Sequence, residues 1–241
     1  MFCENLTQIM KSKIVFFLFI TQCIFSQSNF EKGEKLYDQG KYSLARPVFE
    51  SIIKDNPNQI KAIEYLGDIS IQLKEWDKAI SFYQKLKNLK PTEANYYYKY
   101  GGALGLKSKE GGKWVAIRLI GDMKESFEKA LMLNPKHLEA RWALIEYYLQ
   151  VPVIFGGSEK KAQHYADELL KLSPVDGYLS KGRIDEYFER YKSAEKNYIK
   201  AIEISGSKIT YERLAALYKV KLHNSDKALK ILEQYQEKNK S

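Results

Sequence analysis

A period of 34 residues runs through this chain of 241 residues and constrains its fold more than any other feature. Three pairs of residues share the interval: Pro57 and Pro91, Ala45 and Ala79, and Ala194 and Ala228. A fixed period of this length indicates a structural unit that stacks on copies of itself, because one unit alone cannot bury its apolar face. The chain is therefore predicted to be an array of repeats.

The neighbours of the repeated alanines recur as well. Four positions after the alanine stands a bulky residue: Phe49, Tyr83, Tyr198 or Leu232. Twelve positions before it stands a small residue: Gly33, Gly67, Gly182 or Ala216. A small residue lets two helix backbones approach closely, and a bulky residue fills the space beside them. The pattern predicts two antiparallel helices in each unit.

This pattern resembles the tetratricopeptide repeat family. The signature positions of that family are occupied by Leu66-Gly67, Trp76, Ala79, Tyr83 and Pro91. The resemblance covers residues 28–241 and implies an all-α superhelical solenoid of about six helical hairpins. The predicted units are 28–59, 60–93, 94–137, 138–174, 175–208 and 209–241. No linker sequence interrupts them, so no domain boundary is predicted after residue 30.

The third and fourth units are longer than the period. Pro91 and Pro135 are 44 residues apart, and Pro135 and Pro174 are 39 apart, so ten and five residues have been added. Both insertions fall between the two helices of their unit, near residues 105–122 and 150–158. Together they resemble those of a subset of bacterial exported tetratricopeptide proteins, and that resemblance implies a role in interaction or assembly.

The two insertions are predicted to pack on each other. We interpret the first as an extension of the second helix by two or three turns, with an apolar stripe at Trp114, Ile117 and Ile120. The other is predicted to be an apolar loop that ends in a helix cap at Ser158. Its apolar residues are the nearest cover for the stripe: Val151, Val153, Ile154 and Phe155.

The N-terminal segment has the layout of a secretory signal. Lys11 and Lys13 precede an apolar stretch of about 12 residues, followed by small polar residues around Ser26. A bilayer span needs about 20 apolar residues. We therefore predict a signal peptide over residues 1–27 and an exported, periplasmic or envelope-associated chain with no transmembrane anchor. Met10 is an alternative start.

We expect the exported protein to lack residues 1–27, and its intact mass checks this. A mature chain that still begins at Met1 or Met10 would contradict the prediction. A diacylglyceryl group on Cys23 would instead indicate a lipoprotein. That alternative is less favoured, because Gln22 stands where such signals carry a small residue.

The composition argues against several functional classes. The formal net charge is +9, but acidic and basic residues are interspersed and form no basic stripe, so nucleic-acid binding is not predicted. The cysteines, Cys3 and Cys23, both lie in the predicted signal. His137, His164 and His223 share no metal-ligand spacing, and we interpret them as solvated. No metal or cofactor is predicted.

Catalytic motifs are missing from the sequence as well. The stretch from Gly101 to Ser108 resembles a phosphate-binding loop, but Leu106 occupies the place before Lys107 where the motif needs glycine. We interpret this stretch as a first helix rich in small packing residues. No serine lies in a Gly-x-Ser-x-Gly turn. An enzyme is therefore not predicted.

The resemblance also implies where a partner binds, since the first helices of such repeats line the inner wall of the solenoid. It places eight partner-binding residues there: Tyr37, Glu64, Asp68, Tyr98, Trp142, Glu146, Arg183 and Tyr187. The predicted function is a scaffold or adaptor of the bacterial cell envelope that holds another protein or a peptide segment. The alternative is a component that binds a small molecule or oligosaccharide for a transport system. A compact pocket between Tyr98, Trp142 and the 150–158 loop would favour that alternative.

Overall fold

The computed structural model describes residues 29–238, which form twelve α-helices and contain no strand. The predicted all-α class is confirmed. The helices are α1 (29–38), α2 (Tyr42–Asp55), α3 (Ile60–Gln72), α4 (Trp76–Leu89), α5 (Ala94–Glu110), α6 (Gly112–Leu133), α7 (Leu138–Gln150), α8 (Glu159–Leu172), α9 (Pro174–Tyr187), α10 (Tyr191–Ser205), α11 (Lys208–Ala216) and α12 (Ser225–Lys238). The predicted signal over residues 1–27 lies outside the described residues.

The helices pack in consecutive pairs within two compact units. One unit ends at Pro91 and contains the hairpins α1–α2 and α3–α4. The other begins at Thr92 and contains four hairpins, from α5–α6 to α11–α12. The division falls in an ordinary turn between two hairpins, where the sequence has no linker. Within residues 29–238, no helix is both long and apolar enough to cross a bilayer.

Close approach of paired helices depends on glycine, as the repeat pattern predicts. A Cβ atom added to Gly67 would lie 2.5 Å from Cε1 of Tyr83, and one added to Gly182 would lie 2.4 Å from Cε1 of Tyr198. Two further pairs show the same contact: Gly33 with Phe49, and Gly101 with Phe127. In these four hairpins the bare backbone of the first helix leaves room for a ring from the second.

A side-chain acceptor caps the N-terminus of four first helices, α3, α5, α7 and α9. The side chain of Gln59 accepts a hydrogen bond from the backbone N–H of Ala62 at 2.7 Å, and Nδ1 of His137 accepts one from Ala140 at 3.3 Å. Such side-chain acceptors satisfy N–H groups that have no partner inside the helix. The interpretation of His137 as solvated is therefore wrong, since this side chain is buried at a cap position.

Ten inserted residues of the third hairpin lengthen both of its helices. Helices α5 and α6 have 17 and 22 residues, whereas α3 and α4 have 13 and 14. The prediction that only the second helix is extended is thus incomplete. The insertion of the fourth hairpin is a loop, as predicted, and Ser158 caps α8 through a bond from the N–H of Lys161.

The predicted packing between the two insertions is wrong at their tips. Trp114, Val153 and Ile154 have exposed fractions of 79%, 82% and 85%. The reason is that α5 is lengthened together with α6, so the added turns of α6 pack against α5 instead of needing the loop as a cover. Only the bases of the insertions share a core, because Ile120 and Val151 belong to one apolar cluster.

Candidate functional site

A groove with a volume of about 720 Å³ lies within the second unit, between α5, α6 and α7. Each helix contributes residues at three- and four-residue intervals, so one face of each helix lines the groove. The lining residues are Gly102, Gly105, Leu106, Ser108 and Lys109 from α5; Ala116, Ile120, Met123 and Phe127 from α6; Ala143, Glu146, Tyr147 and Gln150 from α7; and Val151, Pro152 and Arg183. The surface is mostly apolar, with charged groups at its margin.

Two glycines give the groove its depth. A Cβ atom added to Gly102 would meet no atom within 4 Å, and one added to Gly105 would meet only Sδ of Met123 at 3.9 Å. The neighbouring Gly101 differs, because its Cβ would lie 2.7 Å from the ring of Phe127. Gly101 is therefore the packing residue of α5, whereas Gly102 and Gly105 face open space. The interpretation of this stretch as packing residues therefore holds for Gly101 and for the buried Ala103 and Leu104, but not for Gly102 and Gly105.

A charged pair borders the groove. Nε and Nη2 of Arg183 donate hydrogen bonds to the two carboxylate oxygens of Glu146 at 2.8 and 3.0 Å. The guanidinium group of Arg183 also lies 5.7 Å from the ring centroid of Tyr187. Three of the predicted partner-binding residues are therefore adjacent. A bidentate pair of this kind has fixed geometry, which suits it to orient polar groups of a partner.

Tyr98 and Trp142, also predicted to bind a partner, are engaged with the protein core. Nε1 of Trp142 donates a hydrogen bond to Oδ1 of Asp176 at 3.0 Å. The ring of Tyr98 lies 5.1 Å from that of His137, and burial raises the pKa of Tyr98. Neither side chain lines the groove. The groove is therefore a different cavity from the compact pocket between Tyr98, Trp142 and the loop that would favour oligosaccharide stacking.

The remaining predicted residues, Tyr37, Glu64 and Asp68, lie together in the first unit. The hydroxyl of Tyr83 donates a hydrogen bond to Oδ1 of Asp68 at 2.6 Å. Burial, with the nearby charge of Asp68 as the next cause, raises the pKa of Tyr37 to about 12. The ring of Tyr37 lies 5.0 Å from that of Tyr65. This surface is acidic and rich in tyrosine, and its role in binding stays a prediction.

Most of the residues that line the groove were not predicted from the sequence. Of the eight predicted residues, only Glu146 and Arg183 line it. A usable signal was present in α5, where Gly102 and Gly105 are three residues apart and therefore share one face of the helix. Among residues 29–238, no three His, Cys, Asp or Glu side chains are placed to share a metal ion.

Comparison with known proteins supports the repeat assignment. Residues 36–100 match the tetratricopeptide repeat family. The described residues have the fold of solved tetratricopeptide repeat proteins. A comparison with curated protein sequences finds no match.

Three solved structures illustrate the similarity. TTC0263 of Thermus thermophilus, a thermophilic tetratricopeptide protein, is 19% identical, with a TM-score of 0.65 over 81% of this chain and 100% of its own. PilW, a type IV pilus biogenesis factor, is 16% identical, with a TM-score of 0.62 over 88% and 91%. YrrB, a tetratricopeptide protein with an unusual peptide-binding site, is 15% identical, with a TM-score of 0.51 over 76% and 87%. Proteins of this fold are generally non-catalytic scaffolds that bind proteins or peptides.

Proposed function

We propose that this protein is a binding scaffold of the bacterial cell envelope and that it holds a segment of another protein in the groove of the second unit. The observation that carries the proposal is the open face of α5, where Gly102 and Gly105 leave a mostly apolar surface uncovered. Burial of apolar side chains there supplies affinity. The Glu146–Arg183 pair supplies polar groups that set the direction of the bound segment.

Two further observations support the proposal. The basic and apolar N-terminal segment favours export, and hence a partner in the envelope. The similarity to YrrB and PilW, described respectively as having a peptide-binding site and as a pilus biogenesis factor, suits a role in holding or assembling proteins. At this level of identity the similarity supports the fold alone. The binding site is therefore assigned from the geometry of the groove and not from these proteins.

Filling the groove is expected to abolish partner capture without unfolding the protein. Gly102→Leu places a side chain in open space, so we expect a normal thermal transition and at least a tenfold loss of affinity. A photoactivatable amino acid at Gln150, which lines the groove and is exposed, would identify the partner in cells. The same amino acid at Met132, at the far end of α6, is the matched control.

Two outcomes would contradict the proposal. If a folded Gly102→Leu variant forms the same crosslinked product from Gln150, the partner does not occupy the groove. If Gln150 captures no protein but a small molecule copurifies in native mass spectrometry and is lost in Gly102→Leu, the small-molecule alternative is correct. The groove volume of about 720 Å³ lies within the range of small-molecule sites, which makes this second outcome worth measuring.

A further inference from the structure

The three most exposed of the large hydrophobic side chains among residues 29–238 lie on the two insertions. They are Ile154, Val153 and Trp114, and the next most exposed, Met132, has an exposed fraction of 72%. Isolated exposed apolar residues are common, but a group of them in one region marks a contact surface. We name residues 109–118 and 151–155 together the insertion edge.

The two parts of the insertion edge lie on the same side of the second unit. Lys109 and Ala116 of the first part and Val151 and Pro152 of the second line one groove. Trp114 lies in the first turn of α6, next to the α5–α6 junction at Gly111. Val153–Phe155 form a short 3-10 turn after the end of α7. The edge therefore carries two apolar tips at neighbouring hairpin junctions.

The charge around these tips is basic. Residues 105–120 contain four basic side chains and one acidic one, Glu110, whereas residues 150–158 contain no charged residue. Lys113 is next to Trp114 in sequence, and Arg118 lies four residues further on, so it shares a helix face with Trp114. Both basic side chains are exposed.

We propose that the insertion edge docks on an anionic lipid bilayer. A tryptophan, with its polar N–H, prefers the boundary between acyl chains and headgroups. The transfer of exposed aliphatic side chains from water to this boundary is also favourable. Lysine and arginine near an anionic leaflet add to the attraction. A protein partner would also accept the apolar tips, but the local excess of basic over acidic side chains favours an anionic surface.

A fluorescent probe at position 154 tests the proposal in the full-length chain. The natural thiols are removed by Cys3→Ser and Cys23→Ser, and Ile154→Cys carries an environment-sensitive dye. We expect a blue shift with vesicles of phosphatidylcholine and phosphatidylglycerol and none with phosphatidylcholine alone. The same dye at Met132→Cys is the control. It has a similar exposure but lies 18 residues along α6 from Trp114, about 27 Å away.

Removal of the basic charges tests the electrostatic contribution separately. Each basic residue near an anionic surface contributes about a fivefold factor to partitioning. The double variant Lys113→Gln, Arg118→Gln should therefore need about 25 times more lipid to give the same shift at position 154. Addition of Trp114→Ser to this double variant should weaken binding further. Circular dichroism confirms that each variant is folded.

Three results would overturn the proposal. The first is a dye at position 154 that responds to no vesicle. The second is equal response at positions 154 and 132, which means that the chain adsorbs without using the edge or is held by its N-terminal segment. The third is a response only to envelope proteins, which would make the edge a protein contact. None of these measurements depends on groove occupancy, so the groove proposal stands or falls independently.

Discussion

Replacing Gly177 by alanine is expected to lower the free energy of unfolding by about 3 kcal/mol, near the upper end of the cost of overpacking. The added Cβ atom would lie 2.3 Å from Cα of Leu170 and 2.6 Å from its backbone nitrogen. These are backbone atoms of α8, which cannot rotate away as a side chain can. Helices α8 and α9 must therefore separate to accept a single methyl group.

Urea denaturation followed by circular dichroism would measure this loss, and Gly102→Ala is the matched control. Gly102 also lies inside a helix, but its Cβ would meet no atom within 4 Å. Alanine there should be neutral or should stabilise by up to about 1 kcal/mol, because glycine is the weaker helix former. If both variants unfold at the same urea concentration as the parent, the close approach of α8 and α9 is wrong.

Gly67→Leu is expected to have a comparable effect in the first unit, with a loss of about 1–3 kcal/mol. The new side chain would displace the buried ring of Tyr83, whose Cε1 lies 2.5 Å from the Cβ position. Movement of the ring would also break the hydrogen bond from its hydroxyl to Asp68. Stacked hairpins share interfaces, so the damage should extend to adjacent helices.

Hydrogen exchange locates the effect of Gly67→Leu. We expect faster exchange of backbone amides in α3 and α4, and also in α2, which packs on α3. Unchanged exchange and an unchanged thermal transition would show that Gly67 is not at the helix crossing. Tyr83→Phe separates the two causes, because it removes the hydrogen bond to Asp68 but keeps the ring.

Most of the fold could be predicted because each repeat has a small residue and a bulky residue at fixed positions, and these two residues pack where the paired helices cross. The glycines at 33, 67 and 182 each face the ring expected from the period, and the pair of insertions falls at the expected junctions. The lengthening of α5 could not be inferred, since the proline-to-proline interval gives only the total length of a hairpin and not its division between two helices. That division decides whether Trp114 needs a cover.

The candidate site was less predictable for a related reason. The resemblance identified residues on the first helices, which includes Glu146 and Arg183, but a groove depends on which neighbouring positions are left empty. Trp142 shows the converse case, a predicted binding residue whose side chain makes internal contacts instead. Its position suggests a binding aromatic, yet its N–H is bound to Asp176 and its ring packs against two core clusters. Such a contact joins residues 34 apart and is visible only in three dimensions.

In the proposed binding groove, the two glycines that would lie against a partner, Gly102 and Gly105, are separate from the residues that pack the core. Gly102 and Gly105 make no contact that the core requires, whereas Gly101 beside them does. A side chain at position 102 or 105 would alter the shape of the groove, whereas the packing of α5 on α6 would be kept. Under the proposed function, substitutions at these two positions would change the choice of partner without the compensating mutations that changes in a packed interior usually demand.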